Sequence, residues 1–313
     1  MYYFWISRKA GRKIAATLGA LIVIWTVPAA LAQNSTPSSQ QSTGEIKPPS
    51  MSGTSSSALL ETGFNHLYGL DFKGARADFS AYQKLEPLDP IGKAAEAASY
   101  LFEEFNTKNI LSSDFFLNDD RFLKGLEGDP ETNRNPNFEQ ANAQARQMSQ
   151  QMLKQNPHDT HAMLVLTMAD GMESDYDQVI LKKQIAAVSL TRQAENEATT
   201  LLALDKNAQD AYVALGAGHY IIGCLPGYKR AFLWFGGVHG DKERGIEEMT
   251  WAANKGHYLQ PFAKIMLALA FKREHQPEKA RPLLQQLAEQ FPSNPLFAHE
   301  LALLGQSPAP YQR

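Results

Sequence analysis

Cysteine is almost absent from this 313-residue chain. Cys224 stands alone, so no intramolecular disulfide can form and stability must come from a packed core. Its neighbours Ile221, Ile222 and Leu225 predict a buried, inert thiol. Strand patterning is missing too: no window alternates apolar and polar residues with the β-branched enrichment of a strand. Nor is there a basic patch. The chain has 33 acidic and 30 basic residues, and four of the basic ones (Arg8, Lys9, Arg12, Lys13) precede position 32 in a stretch without acids. Beyond it 26 basic residues face 33 acidic ones, a net charge of about −7 that argues against nucleic acid as the main partner.

Motifs that carry chemistry are also lacking. His219, His239, Asp241 and His257 contain no pair at the i, i+4 spacing of a zinc helix. Gly236-Gly237-Val238-His239-Gly240 has neither the Lys-Ser/Thr ending of a phosphate loop nor a preceding strand. No Ser or Cys elbow accompanies His239-Gly240-Asp241. The pairs Asp119-Asp120 and Glu247-Glu248 are neighbours, and neighbouring helical residues do not face each other. Solvated charge or helix-end electrostatics is the expected role of both pairs. Asn118, Asp119, Asp120, Glu127 and Asp129 are rich in oxygen but do not follow an EF-hand loop. No catalytic, cofactor-binding or metal-ligating residue is therefore expected, and the chain does not read as an enzyme.

What is present begins with an export signal. Basic residues Arg8 to Lys13 precede the apolar run Ile14 to Val27, and Ala30 and Ala32 fit the small-x-small rule. Cleavage is expected before Gln33, giving a signal peptide over 1–32 and a periplasmic or extracellular protein. The alternative is an uncleaved N-terminal anchor that leaves the body facing the periplasm, since the apolar stretch approaches spanning length. No cysteine follows the run, so a lipoprotein anchor is excluded. Residues 33–57 are rich in Ser, Thr, Gln, Pro and Gly and read as a disordered linker.

From Ala58 onward the periodicity is helical. Gly63 is followed by Ala75, Phe79 and Pro87, and the same spacing returns as Ala268, Ala280, Leu284 and Pro292. Tyr212, Leu215, Gly216 and His219 fit the first half of such a unit. Ala145, Ser149 and Pro157 fit the second half, as do Ala194, Ala198 and Lys206, and Gly245, Met249 and His257. The phrases LEPLDP, LLALDKN and FPSNP mark unit ends. Small residues suit the point where two helix axes approach closely, and proline ends the second helix.

This spacing resembles the tetratricopeptide repeat, with Tyr212 for its Trp and His219 for its core Tyr. The resemblance covers most of residues 58–304 and implies an all-α solenoid of about five irregular helix pairs. The units run over Ser56–Asp89, Pro90–Asp159, Thr160–Ala208, Gln209–Leu259 and Gln260–Asn294. A capping helix over Pro295 to Leu304 follows, then a tail over 305–313. Units two, three and four exceed the family length. Their inserts lie around Asn109–Asn137, around Met172–Ala187 (as longer helices) and at 224–245. An irregular, compact array is expected from them.

The family resemblance implies a scaffold that binds a protein or peptide partner in a concave groove, with no cofactor and no membrane contact beyond an uncleaved signal. On the family's geometry Phe64, Tyr68, Tyr220, Lys272 and Arg273 would face that groove, and Lys272 with Arg273 would take a partner's carboxylate. The insert at 224–245 offers a second reading. Trp234 and Phe235 could wall a small-molecule pocket or touch a membrane surface. Read as packing alone, Pro226-Gly227 breaks the helix, a short aromatic helix follows, and Asp241 caps the next one.

Overall fold

The computed structural model describes residues 55–305 except 119, 120, 122–124 and 236–238. The expected export signal, most of the linker, the pair Asp119-Asp120 and the tail beyond 305 lie outside the described residues. Among the described residues every regular element is helical. No helix among them is long and apolar enough to cross a membrane.

The sequence signals become helix pairs in chain order. They are α1 (Ser56–Tyr68) with α2 (Phe72–Leu85), and α3 (Ile91–Thr107) with α5 (Pro136–Gln155). Next come α6 (Thr160–Val179) with α7 (Gln184–Leu204), α8 (Tyr212–Cys224) with α10 (Lys242–Lys255), and α11 (Gln260–Arg273) with α12 (Pro277–Gln290). The second helix of each pair stacks on the first helix of the next, and α13 (Pro295–Leu303) covers α12. This is an α-solenoid of five irregular pairs with a cap.

Helix starts follow from capping chemistry. Ser55, Asp71, Asn135, Asp159, Asp241 and Asn294 each accept a backbone N–H of the first turn with a side-chain oxygen. Helix α1 therefore starts at Ser56, inside the stretch that composition assigns to the linker. Proline occupies the first turn of α5, α11, α12 and α13, where no N–H bond is lost.

The small residues sit where the helices cross. A Cβ on Gly63 would lie 2.3 Å from the Phe79 ring. Ala75, Ala145, Ala198 and Ala280 are wholly buried. The long units take three forms. Helices α6 and α7 run to 20 and 21 residues. The second unit adds α4 (Ser113–Leu117) and a 3-10 turn at Pro130–Asn133, and the fourth adds α9 (Gly227–Phe235).

These irregularities bring the two ends together. The Tyr68 hydroxyl donates to the Tyr258 carbonyl at 2.9 Å, and Asn294 donates to the Tyr68 carbonyl at 2.8 Å. Ser293 donates to the Gly69 carbonyl at 3.1 Å. Phe64 stacks on Tyr258 with ring centroids 4.8 Å apart, and Phe102 meets Phe262 edge-on at 5.8 Å. Helix α4 adds a second bridge to α11, described below. The join is made by side chains and loop backbone, and one apolar core runs from α1 through α6 to α13.

Candidate binding cavity

In an open solenoid the first helices of successive pairs line a groove. Here the ends meet, so those helices (α1, α3, α6, α8 and α11) line a partly open cavity of about 320 Å³. The wall is mostly apolar: Leu101 and Phe102 from α3, Met168 and Met172 from α6, Ile221 from α8 and Ile265 from α11 all reach it. Leu225 and Leu233, flanking and within α9, also touch it.

The polar groups of the wall are nearly all engaged. Asp210 accepts the backbone N–H groups of His257, Tyr258 and Leu259 at 2.7, 3.0 and 3.3 Å. Burial still pushes its carboxyl above the ordinary range, against the pull of those three donors. Ser174 bonds to the Ala187 carbonyl and to Thr191, each at 2.8 Å. Lys272 donates to Glu300 and, at 2.7 Å, to the Ser113 hydroxyl, while Glu300 also accepts the Ser113 N–H at 3.0 Å. This triad ties α4, α11 and α13 together.

Asp175 on α6 is the exception. Its side chain is exposed to the cavity space, and no hydrogen bond or ion pair reaches it among the described residues. Desolvation by the apolar wall around it pushes its carboxyl up to about 7. One helical turn earlier, Gly171 also lines the cavity, and a Cβ there would meet nothing within 4 Å. A glycine in a helix interior costs about 1 kcal/mol relative to alanine. Gly171 has no crossing helix to accommodate, so its effect is to leave space beside Asp175. Gly171→Ala should therefore raise unfolding stability by about 0.5–1 kcal/mol in urea titrations. A loss of stability would show that the position is tighter than its geometry.

The expected groove residues fall into three groups. Phe64 and Tyr68 touch the cavity but are core residues, 4% and 5% exposed. Tyr220 is buried between α8 and α11, its hydroxyl 3.2 Å from the Ala270 carbonyl and 3.0 Å from Glu274, which share its one proton. Lys272 and Arg273 do not present an open carboxylate clamp. Lys272 is engaged in the triad and Arg273 donates to the Phe116 carbonyl at 3.1 Å. Their charges instead hold the second unit's insert against α11.

The insert at 224–245 folds as Pro226-Gly227, a short helix and the Asp241 cap require. Two of its aromatics remain largely exposed, however. Tyr228 is 74% and Trp234 59% exposed, with Trp234 edge-on to His239. Side-chain placement of Phe235 lies outside the described residues. The Cys224 thiol is half-buried and burial pushes it up, which disfavours the reactive thiolate.

Sequence reasoning missed a further buried pair. His219 Nδ1 lies 2.6 Å from Glu248, whose other oxygen accepts Arg244 Nε at 2.8 Å. Glu247 is exposed, but Glu248 is buried. Among the described residues no three His, Cys, Asp or Glu side chains are placed to hold a metal ion.

No family model and no curated protein matches the chain. It is similar in fold to the crystal structure of a thermophilic TPR protein from Thermus thermophilus. That match has 12% sequence identity and a TM-score of 0.43, over 80% of this chain and 98% of that one.

Proposed function

We propose that the protein is an exported, non-catalytic scaffold that binds a protein partner in the cell envelope. The observation that carries this reading is the exposed aromatic pair on α9. Tyr228 and Trp234 leave most of their rings in solvent on a helix added to the repeat. Large exposed aromatics are costly to leave in water and are the residue types that anchor protein interfaces. The stacked helix pairs supply a rigid frame for them, and interface aromatics on rigid elements lose little entropy on binding. Export is supported by the basic residues Arg8 to Lys13, the apolar run after them and the Ala30-x-Ala32 site. A pocket in the same insert, with Trp234 as its wall, is the weaker reading because Trp234 faces solvent.

Crosslinking pull-down from envelope extracts with mass spectrometry tests this reading. The wild-type chain should capture a stoichiometric protein partner, and its mature N-terminus should read Gln33. Tyr228→Ala with Trp234→Ala should weaken capture at least roughly 30-fold, the scale of two hot-spot losses, at unchanged melting temperature. Full capture by the double variant would place the interface elsewhere. No partner at all would overturn the scaffold reading.

A further inference from the structure

The cavity between the first helices is a separate feature from the α9 surface, and its wall chemistry is specific. Lys272 and Glu300 cancel each other, and Asp210 is satisfied by three backbone donors. The remaining charge on the wall is the Asp175 carboxylate, in surroundings otherwise made mostly of Leu, Phe, Met and Ile side chains. We propose that this cavity is a binding site for a small cationic amphiphile, a molecule with one protonated amine and an apolar body, whose ammonium pairs with Asp175.

Size, charge and shape all support it. The volume, about 320 Å³, lies at the lower end of small-ligand pockets, which are themselves mostly apolar with a few placed polar groups. An ionised carboxylate set in a mostly apolar, partly desolvated wall is unfavourable unless a cation joins it. No hydrogen bond or ion pair reaches Asp175 among the described residues, so the group is short of a partner, and desolvation holds it above the ordinary Asp range. Gly171, one turn away on the same wall, leaves room for a headgroup where a large side chain would intrude. Gln178, one turn in the other direction, also lines the cavity and can accept a second ammonium N–H. The thioethers of Met168 and Met172 let the apolar wall adapt to a chain of unfixed shape. An anionic amphiphile would instead add a second negative charge beside Asp175. A neutral one would leave the carboxylate unpaired.

The test uses the full chain and three probes of equal chain length: dodecylamine, dodecanol and dodecanoate. Isothermal titration calorimetry at neutral pH should give one saturable site for the amine, at least tenfold tighter than for the alcohol and tighter still than for the acid. Asp175→Asn should weaken the amine tenfold or more and leave the alcohol unchanged. This variant removes an unpaired carboxylate that desolvation disfavours, so its melting temperature should hold or rise. Gly171→Phe should abolish binding of amine and alcohol alike by filling the space. Equal affinity for amine and alcohol overturns the proposal, as does unchanged amine binding in Asp175→Asn. So does amine binding that survives in Gly171→Phe, which would mark a detergent-like surface effect. Partner capture by Tyr228 and Trp234 does not enter any of these readouts, so the two proposals stand or fall separately.

Discussion

Glu300→Ala should lower unfolding stability by about 3–5 kcal/mol, the scale seen when one member of a buried ion pair is removed. Glu300 is 7% exposed and accepts from Lys272 and from the Ser113 backbone. Its loss leaves the Lys272 ammonium in a wall with only 10% side-chain exposure, facing apolar cavity atoms. It also frees α4 from α13, so the bridge between the second unit and the end of the array opens. Lys272→Ala should cost a similar amount for the mirror reason. A paired Lys272→Met, Glu300→Leu change should recover much of it, because it leaves no lone charge. Urea unfolding of the three variants gives the comparison. A loss below about 1 kcal/mol in both single variants would mean that the triad is solvated and does not hold the closure.

The same triad sets an acid response. Burial pushes the Glu300 carboxyl up, but the Lys272 and Ser113 hydrogen bonds outweigh it and hold the group below the ordinary Glu range. A depressed carboxyl contributes stability that is present above its unfolded value. That stability is lost as pH falls through the folded value. Closure should therefore be intact at neutral pH and weaken below the usual carboxylate range. Asp175 works in the opposite sense. Its raised carboxyl opposes folding above the ordinary Asp range, so Asp175→Asn should remove a destabilising term at neutral pH.

Local repeat chemistry is readable because each signal acts within about 35 residues. Gly63 with Phe79, and Ala268 with Ala280 and Leu284, are contacts between helices joined by a short turn. The small-residue spacing that marks them is a direct consequence of close axes. Closure is different in kind. Tyr68 meets Tyr258 across 190 positions, and Ser113 meets Lys272 across 159. Such contacts depend on how small rotations accumulate over unequal units, and no local pattern encodes that sum. For this reason Lys272 and Arg273 read as open groove residues in the sequence yet are engaged within the chain. The Glu247-Glu248 pair shows a subtler limit. Adjacent helical residues point in different directions, so one expectation cannot cover both. Glu248 follows the face that carries Gly245 and Met249 into the core, while Glu247 stays partly in water.

Gly245→Leu should cost about 4 kcal/mol or more, because the obstacle is backbone. A Cβ on Gly245 would lie 2.6 Å from the Tyr220 nitrogen and 2.8 Å from the Gly216 oxygen. The facing Gly216 is equally tight, its Cβ 2.7 Å from the Met249 nitrogen. Neither helix can yield through a rotamer change, so α8 and α10 must separate. Separation would expose Met249, which is wholly buried, and stretch the His219–Glu248 bond. It would also pull Tyr220 from its bonds to α11 and so loosen the next interface. Gly63 meets a side-chain obstacle instead, the wholly buried Phe79 ring, which an added Cβ would have to displace within the core. Gly227, where a Cβ meets nothing within 4 Å, is the control. Gly227→Leu should leave the urea midpoint within roughly 0.5 kcal/mol of wild type, the usual range for surface substitutions. Equal midpoints for Gly245→Leu and Gly227→Leu would show that the close approach of α8 and α10 does not constrain the fold. A large loss at Gly245 alone would tie the repeat spacing to a physical requirement at the helix crossing.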